Sequence, residues 1–380
     1  ETERTNDETT TIYRTGGGIT VRRRTRTCDG AREIDARIEA LNHRRGAVLT
    51  SGVEYPGRYK RSDIGFIDPP LVLEAREGRL EVRALNGRGI VLLPAIARAL
   101  SESTHVSSAV LSCDRVRCEI VELEVELPEE LRSRRPTVLS AVRAVRELFS
   151  SPDDQHLGLY GAFGYDLVLG FEPLRRRFER APEQRDLVLY LPDSIAIVDH
   201  AHGLSVVHEY DFACDGSSTN GIPRHGEPDR IARRDTASVE PCDHTPADYE
   251  ALVRRASESF ARGELFEVVL SQTFRERTEL SPSTLFRRLC EKNPAPYGFL
   301  LALGEEDYLI GASPEMFVRV EGDRVETCPI AGTTARGADA LEDAQQIRKL
   351  LESSKDEWEL TMCTDVDRND KSRVCLPGSV

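Results

Sequence analysis

Short apolar runs separated by turn residues recur through the first part of the chain. Residues 71–76 and 79–85 partly alternate between apolar and polar positions around Glu77-Gly78, which predicts a β-hairpin, and the apolar run at 89–93 predicts a strand after it. The other predicted elements of this part are strands at 159–166, 187–191, 194–198 and 204–210 and helices at 31–42 and 136–149. The pattern favours antiparallel sheet over alternating strand–helix–strand units.

Gly, Ser, Pro, Asp and Arg replace the apolar periodicity at 211–244, which predicts a linker or a long surface loop. Beyond it, Thr245 and Pro246 suit the N-cap and the first position of a helix that ends near Gly263. The later predicted elements are strands at 265–272, 297–303, 308–311 and 316–320, a helix at 283–290 and two helical pieces within 341–370. We therefore predict a first region at 1–210 and a second region at 245–380.

Composition and charge narrow the function classes. The 380 residues are enough for two to three domain-sized units. The 65 acidic residues outnumber the 51 basic ones, and the net charge of -14 disfavours a nucleic-acid partner. No apolar run reaches the roughly 18 residues of a membrane helix, and the start has no apolar signal-peptide core, so we expect a cytoplasmic protein without a membrane partner. Nine cysteines without a Cys-x-x-Cys pair predict neither a disulfide framework nor a zinc ribbon.

Acidic residues near the end of the chain form one group of candidates. Glu352, Asp356 and Glu359 recur at i, i+4 and i+7, which places three carboxylates on one face of a helix. Such a face can hold Mg²⁺, and the same spacing also fits an acidic face in contact with solvent.

Two turns supply further candidate functional residues, and the second region has no histidine. The turn at Gly332-Thr333 can present backbone N–H groups and a hydroxyl to a carboxylate ligand, although such turns are common. Glu315, at a predicted turn between strands, suits acid or base chemistry, and an exposed turn glutamate without a role fits the same position. No histidine follows His244, so the second region contains no imidazole acid or base.

Several separate stretches agree in order and spacing with one enzyme family. In the stretches 263–272, 293–297, 311–315, 329–333 and 365–370, the second region resembles the chorismate-binding domain of the chorismate-utilising enzymes. The stretches 48–59, 160–166 and 361–375 are similar to anthranilate synthases in which the synthase and a glutamine amidotransferase share one polypeptide. The resemblance implies an α+β fold of two stacked, mostly antiparallel β-sheets with outer helices, incomplete in this chain.

Two positions separate the reactions of this family. Isochorismate and salicylate synthases carry a lysine at the position of Glu267, where it activates water, and aminodeoxychorismate synthases carry one at the position of Ala331, where it can act as a nucleophile. This chain has a lysine at neither position. The resemblance therefore implies an anthranilate synthase, a carbon–oxygen lyase. The alternatives are a 2-amino-2-deoxyisochorismate synthase, which does not eliminate pyruvate, and a truncated domain that only binds.

The resemblance also implies roles for individual residues. Glu315 becomes a catalytic acid or base, and Thr333 lies beside the chorismate ring as a second catalytic candidate. The residues expected to bind the substrate are Ala331, Gly332 and Thr333. Glu359 becomes a direct Mg²⁺ ligand, and Asp356, where the family usually has glutamate, a second or water-mediated one.

Partners and an inhibitor follow from the same resemblance. Ammonia is expected from a glutamine amidotransferase domain or subunit. Ser51 matches a serine that contacts the feedback inhibitor tryptophan, and Pro296 and Gly298 lie in the matching Asn-Pro-x-Pro-Tyr segment, with Gly298 in place of a larger residue. The match of Ser51 and of the Asn-Pro-x-Pro-Tyr segment leads to the hypothesis that tryptophan inhibits in competition with chorismate.

Some functional residues of the family correspond to positions beyond Val380. They are the catalytic histidine, a second pair of Mg²⁺-binding glutamates, and the arginine and tyrosine that hold the substrate carboxylate. Since residue 1 is also not Met, we expect a fragment at both ends. We expect this chain by itself to make anthranilate at no useful rate.

Overall fold

The short apolar runs pair into two antiparallel sheets and one small hairpin. The computed structural model describes residues 2–5, 8–54, 59, 61–123, 127–128, 131, 134–172, 174, 179–181, 183–226 and 240–380. In chain order, the elements of these residues are β1 (Thr2–Thr5), β2 (Glu8–Arg14), β3 (Thr20–Thr27), α1 (Gly30–Ala40), β4 (Gly46–Thr50), β5 (Ser62–Ile67), β6 (Leu71–Arg76), β7 (Arg79–Ala84), α2 (Gly87–Ser101), β8 (Val106–Leu111), β9 (Arg115–Ile120), α3 (Val138–Phe149), β10 (Tyr160–Phe163), a 3₁₀ helix (Tyr165–Gly170), β11 (Leu187–Leu191), β12 (Ser194–Asp199), β13 (Leu204–Cys214), β14 (Ser217–Ser218), α4 (Pro246–Ala261), α5 (Pro282–Lys292), β15 (Tyr297–Gly304), β16 (Asp307–Ser313), β17 (Arg319–Glu321), β18 (Arg324–Glu326), α6 (Ala340–Leu351) and α7 (Ser354–Ser372).

The larger sheet has the strand order β1-β2-β3-β13-β12-β5-β4-β15-β16, with β14 beside β13. The second sheet has the order β10-β11-β6-β7-β9-β8, and β17 pairs with β18. The paired strands run antiparallel. Val21 of the larger sheet and Leu73 of the second share one apolar core with residues of α2 and α3. This arrangement confirms the predicted α+β class with two antiparallel sheets and packed helices.

Contacts along the chain divide it into two units. The larger consists of Glu1–Asp229 and Pro282–Val380, and the smaller of Arg230–Ser281. In the smaller unit, α4 begins as predicted, because the Thr245 side chain caps the helix and Pro246 stands in its first turn. None of the helices among the described residues is long and apolar enough to cross a membrane.

The predicted linker at 211–244 begins inside a strand, because β13 continues to Cys214. The last residues of β13 hydrogen-bond with β3, and β14 then folds back onto β13. From the predicted second region, β15 pairs with β4 and so joins the larger sheet. The assignment of 1–210 and 245–380 as two regions stays a prediction.

Several predicted elements form close to their expected positions. β6 and β7 pair around Glu77 and Gly78, whose φ angles of 49° and 79° are those of a tight hairpin turn. The helices predicted at 31–42, 136–149 and 283–290 form as α1, α3 and α5. The strand predicted at 316–320 begins only at Arg319, as β17.

The strand predicted at 89–93 is wrong, since these residues lie in α2. The Asn86 side chain accepts hydrogen bonds from the N–H groups of Arg88 and Gly89, which supplies partners to the free donors of the first turn. The buried side chains that recur four residues apart along α2 are Leu92, Ile96 and Leu100. A short apolar run fits a strand and a buried helix equally, and here the cap and the helical spacing decide.

The strand predicted at 265–272 is also wrong, because this segment is irregular and exposed. Phe266 is 93% exposed and Val269 is 81% exposed. A strand requires a neighbouring strand to receive its backbone hydrogen bonds. In the described part of the smaller unit, a β-bridge joins Cys242 to Phe274, which lies after residues 265–272 and so does not pair them.

Candidate functional site

β4 and β16 end close to where β15 begins, and predicted site residues lie at these three strand termini. β15 lies between β4 and β16, and its Gly298 pairs with Thr50 of β4 on one side and with β16 on the other. Since adjacent strands are about 4.8 Å apart, β4 and β16 are separated by about 10 Å. The structure thus brings the segments of Ser51 and Glu315 to one end of the sheet, on either side of Pro296.

Ser51 is buried just after the end of β4. Its backbone N–H donates to Asp63 Oδ1 at 3.3 Å, and its Oγ donates to the carbonyl oxygen of Val53 at 3.1 Å. The other carboxylate oxygen of Asp63 lies 2.7 Å from His200 Nε2. Asp63 therefore fixes the position of Ser51 from the neighbouring strand β5.

The segment that contains Pro296 and Gly298 lies directly against the end of β4 and the residues after it. The N–H of Gly52 donates to the carbonyl oxygen of Ala295 at 2.9 Å. A Cβ atom at Gly298 would lie 2.6 Å from Thr50 Oγ1, which is closer than side chains approach one another. A larger residue at this position would therefore require Thr50 to move.

Glu315 lies in the connection between β16 and β17 and is exposed. Its N–H donates to the Oγ of Ser313, the last residue of β16, at 3.2 Å. This bond orders the backbone of the turn and leaves the carboxyl group accessible. An accessible carboxyl group on an ordered turn can exchange a proton with a bound ligand.

The predicted substrate residues lie on an irregular segment that passes close to the start of α7. Gly332 has a φ of +81°, and a Cβ atom there would lie 2.9 Å from Asp356 Oδ1. Both the left-handed backbone and the close approach favour glycine at this position. Thr333 is exposed, whereas Ala331 is half-buried. The structure therefore brings the predicted substrate segment next to one of the predicted metal ligands.

Asp356 and Glu359 share one cationic partner on α7. Lys355 Nζ lies 2.6 Å from Glu359 Oε2 and 3.4 Å from Asp356 Oδ1. A hydrogen bond with Ser353, the N-cap residue, together with the charge of Lys355 holds the pKa of the Asp356 carboxyl below its usual value. Glu359, and to a lesser extent Asp356, raises the pKa of the Lys355 ammonium group.

Glu352 does not share a helix face with these two carboxylates, contrary to the prediction. α6 ends at Leu351 with Glu352 as its C-cap, and Ser353 then starts a new helix as the N-cap of α7. Across the described residues, no three His, Cys, Asp or Glu side chains converge in a way that could hold a metal ion. Two carboxylates around one cation nevertheless fit Mg²⁺, which proteins bind through one or two carboxylates while several waters remain on the ion.

Two charged residues of this site are missed by reasoning from the sequence. Lys355 precedes Glu359 by four residues, a spacing from which the ion pair on a helix could have been predicted. The contact of Asp63 with Ser51 joins two strands and leaves no signal in the spacing of residues. The roles of the predicted catalytic, substrate, metal and inhibitor residues stay predictions.

The chain is similar to chorismate binding enzymes and to anthranilate synthases. A family model described as chorismate binding enzyme matches residues 110–380. The chain is 52% identical over 368 residues to an anthranilate synthase of Azospirillum brasilense, a match that covers 97% of this chain and 50% of that relative. It is 34% identical over 255 residues to anthranilate synthase component 1 of Aeropyrum pernix, which covers 65% of this chain and 55% of that relative. The chain thus spans about half the length of these curated relatives.

The fold is shared with a solved structure of a related enzyme. The crystal structure of anthranilate synthase component I from Streptococcus pneumoniae TIGR4 matches with a TM-score of 0.55 and 21% sequence identity, over 84% of this chain and 63% of that chain. At this level of identity the match concerns the fold alone, and it agrees with the antiparallel sheets and packed helices described above. Together with the family model, these matches confirm the resemblance read from the sequence.

Proposed function

Because the chain belongs to the family of chorismate binding enzymes, we propose that it forms the synthase part of an anthranilate synthase. The observation that carries this proposal is the 52% identity to an anthranilate synthase along 97% of the chain. The residues Glu267 and Ala331, where other branches of the family carry lysine, support ammonia as the nucleophile. The overall reaction converts chorismate and ammonia into anthranilate, pyruvate and water.

The proposed reaction has two steps. In the first, the electron pair of ammonia forms a carbon–nitrogen bond to the ring, and the ring hydroxyl takes up a proton and leaves as water, which gives 2-amino-2-deoxyisochorismate. In the second, the carbon–oxygen bond to the enolpyruvyl group breaks. A ring proton is transferred to that group to form pyruvate, and the ring becomes aromatic.

Glu315 is the proposed acid of the first step. Its accessible carboxyl group, on the turn ordered by Ser313, donates the proton that the leaving hydroxyl needs and can later accept a proton as carboxylate. Near α7, the backbone at Gly332 and the exposed hydroxyl of Thr333 offer hydrogen bonds to a carboxylate of the substrate.

Asp356 and Glu359 are the proposed ligands of Mg²⁺. When bound, Mg²⁺ supplies Lewis-acid stabilisation of the developing charge and orients the substrate carboxylate. Lys355 forms ion pairs with both carboxylates. Its ammonium group would compete with the ion for the same oxygen atoms.

The proposal extends to partners and regulation. Ammonia comes from a glutamine amidotransferase domain or subunit, as the resemblance to synthases that share a polypeptide with one implies. Tryptophan is the proposed feedback inhibitor at Ser51, Pro296 and Gly298, and the adjacency of β4 and β15 supports a common site for these residues. We place the enzyme in the cytoplasm.

The test incubates the full-length natural protein with chorismate, Mg²⁺ and ammonium and identifies the products by chromatography. Anthranilate together with pyruvate supports the proposal. An amino-substituted ring acid without pyruvate would assign the protein to the aminodeoxyisochorismate branch, and unchanged chorismate would contradict an enzyme of this family. Glu315→Gln, which keeps the size of the side chain, should abolish most of the product. Glu321→Gln on β17, at an exposed position, is the matched control.

A further inference from the structure

Tyr59 lies where three segments of the larger unit meet. Its hydroxyl donates a hydrogen bond to the carbonyl oxygen of Pro314 at 3.3 Å and lies 3.9 Å from Cys328 Sγ. Its ring meets the ring of Tyr297 edge to face, with centroids 5.9 Å apart and an interplanar angle of 87°. One half-buried side chain therefore contacts segments more than 200 residues away in the chain.

Each of these contacts is next to a candidate functional residue. Pro314 immediately precedes Glu315, and Cys328, which is buried, lies three residues before Ala331. Tyr297 pairs across the sheet with Ser313, at the base of the turn that carries Glu315. The hydroxyl of Tyr59 thus touches both the segment with the proposed acid and the segment with the proposed substrate residues.

The hydrogen bonds of the Glu315 turn are of two kinds, one within the turn and one to a distant residue. The bonds between Glu315 and Ser313 close the turn on itself and fix its shape. The bond from Tyr59 to Pro314 attaches the turn to another part of the unit and so fixes its position. Catalysis is sensitive to position because a proton donor has to lie within hydrogen-bond distance of the reacting atom.

We propose that Tyr59 is a positioning residue for Glu315. The Tyr59 hydroxyl holds the Glu315 turn in place relative to the segment that leads to Ala331–Thr333. The inference rests on the function proposed above, because it assigns Glu315 to the reaction. It goes beyond that function in naming a residue that touches no reacting atom and acts through the backbone of Pro314.

The test compares two tyrosine-to-phenylalanine substitutions in the full-length protein. Tyr59→Phe keeps the ring against Tyr297 and removes the hydroxyl. Tyr308→Phe is the matched control, because the Tyr308 hydroxyl also donates to a backbone carbonyl, that of Asn42 at 3.1 Å, but lies toward the other end of β16.

Tyr59→Phe should lower kcat about fivefold, the change expected from one neutral hydrogen bond, while KM for chorismate stays within about twofold. Tyr308→Phe should leave kcat and KM unchanged. A purely structural role of Tyr59 would shift the unfolding midpoint without separating kcat from KM. An equal kcat in wild type and Tyr59→Phe, or an equal loss in both variants, would overturn the inference.

Hydrogen–deuterium exchange supplies a readout that does not depend on turnover. In Tyr59→Phe, the backbone amides of the non-proline residues in 313–317 and 328–333 should exchange faster than in wild type, whereas Tyr308→Phe should leave both segments unchanged. Unaltered exchange of these segments in Tyr59→Phe would overturn the inference even in an inactive protein. Unchanged chorismate with the wild type would instead count against the proposed function, so the two failures are distinguishable.

Discussion

The pH dependence of folding should reveal a histidine that is enclosed in the larger sheet. His208 of β13 is only 8% exposed, and its Nδ1 lies 2.9 Å from Thr25 Oγ1. Burial, followed by the charge of Arg23, lowers the pKa of His208 to about 4, a shift that nearby Asp154 opposes and His156 increases. The ring is therefore neutral in the folded protein under ordinary conditions.

The sign and the size of the effect follow from the two pKa values. His208 titrates near 6.5 in the unfolded chain and near 4 in the folded protein. Between these values the unfolded chain binds more protons than the folded one. The stability associated with His208 is therefore fully present above the unfolded pKa and is lost as the pH falls towards the folded pKa. From about pH 7 to about pH 5 the loss amounts to about 2 kcal/mol in the free energy of unfolding.

Urea unfolding of the wild type and of His208→Gln measures this contribution. Glutamine keeps a polar side chain opposite Thr25 and does not titrate. Between about pH 7 and about pH 5, the wild type should lose about 2 kcal/mol more of its unfolding free energy than the variant, because the other titrating groups are common to both proteins. An equal loss in the two proteins would refute the conclusion that His208 is held neutral by burial.

Three further substitutions test the candidate site. Glu315→Gln should lower kcat of the full-length enzyme by about 100-fold or more with little change in KM for chorismate, because general acid catalysis is worth about two to four orders of magnitude; chromatography of anthranilate measures the rate. Lys355→Met should strengthen Mg²⁺ binding several-fold in titration calorimetry, since it removes the ammonium group that competes for two carboxylates. The control variant Lys349→Met, on α6, should leave Mg²⁺ affinity unchanged. Equal Mg²⁺ affinities of the two variants would argue against a metal site on α7. Gly298→Ala should reduce the free energy of unfolding by about 1–3 kcal/mol through overpacking against a threonine. In contrast, Gly158→Ala, where an added Cβ meets nothing within 4 Å, should leave the urea midpoint nearly unchanged, and identical midpoints for the two variants would contradict the close packing of β4 on β15.

Helices and turns that are determined by residues close in sequence could be predicted from the sequence. Thr245 and Pro246 begin α4 as expected, because a cap acts within one turn of the helix. The segments at 89–93 and 265–272 could not be predicted in the same way. The first has an apolar run that fits two conformations, and the second depends on whether another strand is present to receive its hydrogen bonds.

The site itself is assembled by contacts between distant parts of the chain. The roles suggested for Ser51, Gly298 and Glu315 came from resemblance, and no spacing in the sequence indicates that they lie at one end of a sheet. The approach of Gly332 to Asp356 likewise depends on how a segment without regular structure packs on α7. Such contacts are determined by tertiary packing, which a single sequence does not display.

The pairing of β4 with β15 also has a consequence during protein synthesis. Gly298 follows its partner Thr50 by 298 minus 50, or 248, residues. At ribosomal rates of about 5–20 residues per second, β15 is synthesised about 12–50 seconds after β4. Until then, the backbone N–H and C=O groups on one edge of β4 have no partner strand. The nascent larger sheet therefore has an open edge at β4 while most of the N-terminal strands are already available to fold. An incomplete chain could pair with another copy along this edge, and a chaperone that shields strand edges would protect it there.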